Sequence, residues 1–302
     1  MNISSDSQKP YCNPSDYPGL DVYAVVGNPI AHSRSPEIHA MFAEQTNQAI
    51  HYGKLFSELD QFEKTVKHFF TTGGKGLNVT VPFKANAYAL CEQLTDRAKA
   101  AEVVNVLWQE NGVLHGDNSD GMGLVRDLKR NAGSLKGRRI LLLGAGGAAQ
   151  GVVLPLINES PSELIISNRT QEKATRIVQQ FAKLASSQNV IFRSEPIETL
   201  ETLGAFDIVI NATASGLTST SPIGDQQVQA LVGNRQDHCF AYDMLYGKPT
   251  PFMQQFLKHK ATVLDGMGML VEQAAQAFET WRGPSVVGKL NTEAVLKKLR
   301  QS

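Results

Sequence analysis

The stretch RRILLLGAGGAAQG, residues 138–151, decides the fold that we expect of this chain. Its apolar run predicts a buried strand, its glycines predict a tight turn, and the alanines predict the start of a helix. Gly144 and Gly146 hold the first two positions of the G-x-G-x-x-G pattern, and Ala149 holds the third, where a small side chain allows close helix packing. A helix beginning near Gly147 would offer free N–H groups to a pyrophosphate. The stretch favours a nucleotide site over a structural glycine turn.

The sequence around this stretch predicts an α/β fold with two α/β domains, one of them a Rossmann-type doubly wound parallel sheet. Strands are predicted at 138–144, 163–168, 189–194, 206–213, 239–244 and 261–266, with helices near 147–158, 170–184 and 250–259 between several of them. Before them, strands near 22–26, 51–57, 76–81, 102–108 and 112–116 and helices near 36–46, 60–71 and 84–93 predict a first α/β unit. Helices near 121–132, 268–281 and 291–301 complete the pattern. We expect residues 121–267 to form the Rossmann-type domain, residues 21–120 with 268–302 to form the other, and residues 1–20 to be a flexible leader.

Composition excludes several classes of partner. Lysine plus arginine and aspartate plus glutamate each total 29 in 302 residues, so no basic field gathers nucleic acid or an anionic membrane. Cys12, Cys91 and Cys239 are far apart and show no metal-ligand spacing, which favours a reducing compartment and predicts no metal site. The first twenty residues lack the apolar core of a signal peptide, and no stretch is long and apolar enough to span a bilayer.

The end of the second strand of the Rossmann-type domain indicates which nucleotide binds. An NAD site usually places a carboxylate there to bind the adenine ribose, but this strand ends at Asn168, followed by Arg169 and Thr170, with Lys173 one turn into the next helix. Arg169 and Lys173 could neutralise a ribose 2′-phosphate. The alternative is that Thr170 caps the helix and both cations are solvated. We predict NADP rather than NAD.

Two polar patches in the first unit suggest a second ligand site. In GNPIAHSRSPEIHAMF, residues 27–42, Ser33 and Ser35 stand beside a helix start where Ser35 is placed to cap, and together they could bind a small anion. In NVTVPFK, residues 78–84, Asn78 and Thr80 share one face of a strand and Lys84 follows closely. The ordinary alternatives are a capped turn and a strand edge with a solvated lysine.

A third patch supplies a carboxylate and an amide. Asp120 lies at a helix entrance in GDNSDGMG, residues 116–123, where it could also be a simple cap. Asn105 interrupts an apolar strand, and a buried amide needs hydrogen-bond partners. Together with Lys84, these two residues would bind adjacent hydroxyl groups and accept a proton.

Read together, these patches resemble the shikimate dehydrogenase family over nearly the whole chain from about residue 21. The resemblance implies that Ser33 and Ser35 bind the substrate carboxylate and that the other substrate-facing residues are Asn78, Thr80, Lys84, Asn105, Asp120, Tyr246 and Gln273. It implies that the cofactor is held by Gly144, Ala145, Gly146, Gly147, Ala148, Asn168, Arg169, Thr170, Lys173, Met244 and Gly266. The chain departs from the family pattern at Val106 and Ser119, where threonine is usual, and at Lys173, where arginine is frequent.

The activity that the resemblance implies is reversible hydride transfer between NADP and shikimate or 3-dehydroshikimate, in cytoplasmic biosynthesis of aromatic amino acids. Lys84 and Asp120 would form the catalytic proton-transfer pair, with Lys84 the better candidate. The partners expected are the small-molecule substrate and, at most, a second copy of the chain, so the protein would be a monomer or a homodimer. Two alternatives stay open: an NAD-accepting quinate/shikimate dehydrogenase, and a non-catalytic NADP-sensing module.

Overall fold

The computed structural model describes residues 10–215, 220–234 and 238–301. Its contacts divide the chain into two compact units, residues 1–119 with 274–302 and residues 120–273. The predicted domains, residues 21–120 with 268–302 for the substrate and residues 121–267 for the cofactor, stay a prediction. Over the described ranges, no helix combines the length and apolarity needed to cross a bilayer.

The first unit is built on a mixed six-stranded sheet. Its strands are β1 (Asp21–Gly27), β2 (Ile50–Phe56), β3 (Gly76–Val79), β4 (Gln93–Leu94), β5 (Val106–Glu110) and β6 (Val113–Asp117), and its helices before residue 119 are α1 (Ser35–Thr46), α2 (Phe62–Thr71), α3 (Lys84–Leu90) and α4 (Asp96–Ala101). The strand order is β2-β1-β3-β5-β6-β4. β1 is parallel to β2 and β3, whereas β5 is antiparallel to β3 and β6. The apolar sides of α2, α3 and α4 cover one face, where Phe62 and Phe83 stack at 4.6 Å.

The second unit is a fully parallel six-stranded sheet. It comprises α5 (Asp120–Ala132), β7 (Arg139–Leu143), α6 (Gly147–Asn158), β8 (Glu163–Ser167), α7 (Gln171–Ser187), β9 (Ile191–Ser194), β10 (Ile208–Asn211), α8 (Asp225–Val232), β11 (Phe240–Asp243), α9 (Pro251–Lys258) and β12 (Thr262–Asp265). The order β12-β11-β10-β7-β8-β9 reverses direction between β7 and β10, which is the doubly wound Rossmann arrangement. The predicted fold class is confirmed. Continuous burial of β7, β8 and β10 explains their unbroken apolar runs.

Two further helices complete the chain. α10 (Met267–Arg282) runs across the division between the units, and α11 (Thr292–Gln301) belongs to the first unit. In the first unit, Trp281 of α10 donates a hydrogen bond from its indole nitrogen to the Leu107 carbonyl at 3.2 Å, and Arg282 pairs with Asp21 at the start of β1. These contacts fix the end of α10 on the sheet.

The expectation of a flexible leader is wrong for residues 10–20, and residues 1–9 lie outside the described part of the chain. Pro10 accepts a hydrogen bond from the Phe56 N–H at 2.8 Å, Tyr17 stacks on His51 at 3.6 Å, and Cys12 is buried against β2. Proline and polar residues suggested a mobile segment, but the apolar side chains among them cover the edge of the sheet.

The predicted boundaries miss elements between residues 91 and 105. The helix predicted to 93 ends at Leu90, and the strand predicted from 102 begins only at Val106, because β4 and α4 occupy the interval. The Thr95 hydroxyl caps α4 by accepting from the Ala98 N–H at 3.3 Å, a start signal that the sequence contained. α8, in the second unit, was also not predicted.

Candidate active site

The two serines of the loop between β1 and α1 lie in contact. Ser33 donates its hydroxyl to the Ser35 oxygen at 3.2 Å, and the Ser35 N–H donates to the Ser33 oxygen at 3.3 Å. Ser35 is buried, whereas Ser33 is half-buried. The prediction that Ser35 caps α1 is wrong: it is the first helical residue, and Arg34 is the cap position without a side-chain cap. The Ser33 hydroxyl instead accepts from the Ser35 N–H and donates to the Ser35 hydroxyl.

The predicted asparagines form a buried amide row. Asn78, on β3, donates from Nδ2 to the Asn105 carbonyl at 3.2 Å. Asn105 accepts at Oδ1 from the Ser119 N–H at 2.8 Å and donates from Nδ2 to the Ser119 hydroxyl at 3.1 Å. Ser119, where threonine is usual, therefore keeps the hydroxyl that this row uses. The structure brings together residues that are far apart in sequence, as a buried amide requires.

Thr80 and Lys84 flank the start of α3. The Thr80 methyl group packs so closely on Gly27 that a Cβ there would lie 2.5 Å from it, which fixes the Thr80 side chain. Lys84 is half-buried at the first residue of α3, and its carbonyl accepts from the Val104 N–H at 3.0 Å. The backbone of Lys84 is thus tied to the residue that precedes Asn105.

A buried ion pair holds the segment that leads to Asp120. Asp117 accepts at Oδ1 from the Thr95 hydroxyl and from Arg97 Nε, both at 2.6 Å, and from the Asn118 N–H at 2.7 Å. Arg97 also donates to the other carboxylate oxygen. With its carboxylate hydrogen-bonded inside the first unit, Asp117 is a structural residue, and the catalytic role of Asp120 stays a prediction.

In the second unit, Asp120 begins α5 and is buried. One turn later, α5 packs against α10 so closely that a Cβ on Gly123 would lie 2.9 Å from the Gln273 Cβ. Gln273 is itself buried and donates from Nε2 to the Leu270 carbonyl at 2.9 Å. Two predicted substrate residues therefore lie on helices in direct contact, and the pairing of Asp120 with Lys84 stays a prediction.

The glycine turn has the geometry that its motif predicts. Gly144 adopts φ +115°, and a Cβ on it would lie 3.1 Å from the Ala212 backbone, so only glycine fits there. Gly146 is the cap residue of α6, and the space around its Cβ position is open to 4 Å. Ala149 is fully buried under the helix. Ala145 is buried, whereas Gly147 and Ala148 are half-buried in the first turn of α6. The open side of the turn is where a backbone-bound anion would lie.

The end of β8 is basic and accessible. Asn168 donates from Nδ2 to the Thr170 carbonyl at 2.9 Å, which shapes the turn into α7. Arg169, Thr170 and Lys173 are exposed. Thr170 occupies the cap position of α7 without a side-chain cap hydrogen bond. The exposure of both cations is what the alternative of solvated charges also expects. Arg169, before the cap residue of α7, and Lys173, in its first turn, therefore place two cations after β8, the strand that pairs with β7.

Met244 and Gly266 lie in contact after β11 and β12. A Cβ on Gly266 would lie 2.2 Å from the Met244 carbonyl oxygen, and the Gly266 N–H donates to the Leu245 carbonyl at 2.9 Å. Buried Asp243 anchors the segment by accepting from the Leu245 N–H at 3.0 Å and from the Thr250 hydroxyl at 2.5 Å. Burial raises the pKa of Asp243, and these hydrogen bonds oppose that effect. Tyr246 is half-buried in the same segment.

Sequence reasoning missed two residues beside the predicted sites. Thr213 follows β10 at the reversal of strand order, with its methyl carbon 3.3 Å from the Cβ position of Gly144. Ligands bind at the carboxyl ends of the strands where the strand order reverses, so the polar residues after β10 could have indicated Thr213. Tyr52 of β2 donates to Asn78 Oδ1 at 2.6 Å, and no local pattern marked it. His39 of α1 is fully buried and stacks on Tyr52, with ring centroids 4.0 Å apart.

Comparison with known proteins matches both units. The family model described as the shikimate dehydrogenase substrate binding domain matches residues 25–107, and the model described as shikimate / quinate 5-dehydrogenase matches residues 126–247. The shikimate dehydrogenase (NADP(+)) of Janthinobacterium sp. (strain Marseille) is 51% identical over 288 residues, which cover 93% of this chain and 97% of the relative. The enzyme of the same name from Acinetobacter baylyi is 46% identical over 262 residues, covering 86% and 95%.

Solved structures share the fold over almost the whole chain. An Ael1 enzyme from Pseudomonas putida superposes with a TM-score of 0.80 at 42% identity, covering 92% of this chain and 98% of that one. Shikimate 5-dehydrogenase from Thermus thermophilus, solved in complex with NADP(H) and shikimate, has a TM-score of 0.78 at 27% identity, covering 93% and 99%.

Proposed function

The chain belongs to the shikimate dehydrogenase family, and from this premise we propose that it catalyses the reversible, NADP-dependent reduction of 3-dehydroshikimate to shikimate. The resemblance seen in the sequence is thereby confirmed. The observation that carries the proposal is that one unit contains the serine pair and the amide row, while the other contains an open glycine turn with cations and no carboxylate at the end of β8.

The second unit fits NADP. Gly144 and Gly146 leave the backbone at the start of α6 open to a pyrophosphate, and the first-turn N–H groups would bind it. Arg169 and Lys173 are exposed where a ribose 2′-phosphate needs positive charge. When bound, the cofactor supplies or accepts the hydride. Met244 and Gly266 would border its nicotinamide, where glycine removes steric bulk.

The first unit fits an acid that carries several hydroxyl groups. The hydroxyls of Ser33 and Ser35 would bind the carboxylate, and each hydrogen bond to a charged group contributes on the order of 1.5 to 3 kcal/mol. Asn78, Thr80 and Asn105 would bind the ring hydroxyls. Tyr246 and Gln273, in the second unit, are proposed to complete recognition of the substrate. The substrate is therefore selected by its acid group and by the pattern of its alcohols.

Lys84 and Asp120 are proposed to move the proton of the reacting alcohol. In the reduction, the pair donates a proton to the developing alkoxide, and in the oxidation it accepts the proton of the hydroxyl. We assign the proton transfer to the two residues together. We propose Lys84 as the member in contact with the reacting oxygen.

A steady-state assay that follows the absorbance of the reduced cofactor tests the function. Shikimate and quinate are each supplied with NADP⁺ or NAD⁺, and we expect shikimate with NADP⁺ to have the highest kcat/KM by at least about tenfold. Equal use of quinate and NAD⁺ would favour the broader dehydrogenase. Binding of NADP⁺ by calorimetry without turnover of either acid would favour the NADP-sensing module.

Removal of the Arg169 charge tests the cofactor assignment. We expect Arg169→Ala to raise the KM for NADP⁺ about tenfold to a hundredfold, because a charge-assisted hydrogen bond to phosphate is lost, and to leave the KM for NAD⁺ nearly unchanged. Arg176, also exposed on α7 but beyond its first turn, is the matched control. Equal losses with both cofactors would remove Arg169 from the 2′-phosphate site.

We place the enzyme in the cytoplasm as a monomer or homodimer. All three cysteines are unpaired thiols, as a reducing compartment favours. Burial raises the pKa of Cys12 to about 11 and that of Cys91 to about 12, so both stay protonated and unreactive at neutral pH. Light scattering with cell fractionation would test both assignments.

A further inference from the structure

Tyr52 is a buried phenol in contact with Asn78, a residue of the proposed substrate site. It lies on β2, only 7% exposed, and donates its hydroxyl to Asn78 Oδ1 at 2.6 Å. Burial raises the pKa of Tyr52 well above its ordinary value of 10.0, with the Ser35 hydrogen bond as a smaller opposing effect. The phenol therefore stays protonated and remains a donor to the Asn78 amide.

The hydrogen bonds around Asn78 determine which way its amide faces. The partner of one end is the Asn105 carbonyl, which can only accept, so that end must be the NH₂ group. The other end must then be the carbonyl oxygen, which accepts from Tyr52. The Asn78 side chain also acts on the buried imidazole of His39, whose pKa it raises against the larger effect of burial. Contacts at both ends therefore hold the amide in a single orientation.

The ring of Tyr52 is itself held in place. His39 stacks on it with ring centroids 4.0 Å apart and an interplanar angle of 5°, and Trp281 lies 6.3 Å from it. His39 is fully buried. These aromatic neighbours pack against the ring and restrict its movement. The Tyr52 hydroxyl is therefore held where it can donate to the Asn78 oxygen.

We propose that Tyr52 is a positioning residue for the substrate: its hydroxyl holds the Asn78 amide in the one orientation in which the substrate meets it. This inference rests on the proposed function, because it takes Asn78 as a substrate contact. Tyr52 does not touch the reacting atoms. Its removal leaves the amide oxygen buried without a donor and releases the Asn78 side chain from its single orientation.

The test compares Tyr52→Phe with Tyr23→Phe. Tyr23 pairs with Tyr52 across β1 and β2, is similarly buried, and its hydroxyl is bonded to Arg282 at 3.1 Å rather than to a site residue. Each variant loses one buried hydroxyl, so each should lose a similar amount of thermal stability. We expect Tyr52→Phe alone to raise the KM for shikimate about tenfold, with the KM for NADP⁺ changed less than about twofold. A KM does not depend on the fraction of folded enzyme.

A double-mutant cycle with Asn78→Ala separates positioning from general loosening of the core. If Tyr52 acts through Asn78, Tyr52→Phe should lower kcat/KM about tenfold in the wild type and less than about twofold in the Asn78→Ala background. Equal effects in both backgrounds, or equal effects of Tyr52→Phe and Tyr23→Phe on the KM for shikimate, would overturn the inference while leaving the function intact. A wild type that fails to turn over shikimate would refute both proposals.

Discussion

Burial of His39 predicts that the first unit loses stability in mild acid. The imidazole is fully buried, and neither ring nitrogen makes a hydrogen bond of normal geometry within the described residues. Burial lowers the pKa of His39 from its ordinary 6.5 to about 3, against a smaller opposing effect of the Asn78 side chain. An unfolded chain takes up the proton below about pH 6.5, whereas the folded chain does so only near pH 3.

The direction and the size of the stability change follow from this difference in pKa between the folded and unfolded chain. Since the unfolded state binds more protons between the two pKa values, the contribution of His39 is complete above pH 6.5 and is lost as the pH falls toward 3. Each pH unit in this window is worth about 1.4 kcal/mol, so a shift from about pH 7 to about pH 5 should lower the free energy of unfolding by about 2 kcal/mol. His39→Phe, which keeps the aromatic stack and has no proton to bind, should abolish this part of the loss.

Urea unfolding followed by tryptophan fluorescence reports the relevant unit. Both tryptophans, Trp108 and Trp281, belong to the first unit, and Trp281 lies 5.5 Å from His39 between ring centroids. His51→Phe is the matched control. His51 also stacks on an aromatic ring, that of Tyr17, and burial lowers its pKa as well. Because His51 is only half-buried, its substitution should change the pH dependence of the unfolding free energy less. If wild type and His39→Phe lose the same free energy over that pH range, or if the His39 resonance titrates near its ordinary 6.5, the reasoning is refuted.

Two substitutions test the catalytic and cofactor segments. Lys84→Met should lower kcat about a hundredfold to ten-thousandfold with a smaller effect on the KM for shikimate, because it removes the proton-transfer group. The control is Lys75→Met, since Lys75 is an exposed lysine of the same unit. Near-normal turnover of the Lys84 variant would exclude Lys84 as the proton-transfer group. Gly266→Ala should cost about 1–3 kcal/mol in calorimetric unfolding, because its Cβ would meet the Met244 carbonyl oxygen at 2.2 Å. Gly224→Ala, whose Cβ would meet nothing closer than 3.7 Å, should cost less, and equal costs would contradict the steric argument.

The sequence predicts best where one local rule determines the outcome. The glycine turn combines an apolar run, a residue that must adopt positive φ and a helix start, so Gly144 and α6 were predicted correctly. α4 was missed because six residues give too short a periodic pattern, even though Thr95 marked its start. The prediction that Ser35 caps α1 is wrong for a different reason. Ser35 is already the first helical residue, and its N–H donates to the Ser33 hydroxyl.

Contacts between distant strands are the part that local patterns do not reveal. Tyr52 lies on β2, and only the parallel register of β2, β1 and β3 brings its hydroxyl to Asn78, 26 residues later. Likewise, nothing near Asp117 distinguishes it from Asp120 until the ion pair with Arg97 is seen. Motifs therefore predict residues that would touch ligands, whereas the contacts that orient those residues are visible only in the fold.

The Asn105 carbonyl explains why position 78 needs an amide. It accepts from the Val79 N–H at 2.9 Å and from Asn78 Nδ2 at 3.2 Å, so both of its lone pairs face donors. An aspartate at 78 would have nearly the same shape, but its second oxygen would face that carbonyl oxygen with no proton between them, in a buried site where repulsion is weakly screened. The amide is thus selected by the backbone of the neighbouring strand as much as by any ligand, and Tyr52 completes the selection from the other end.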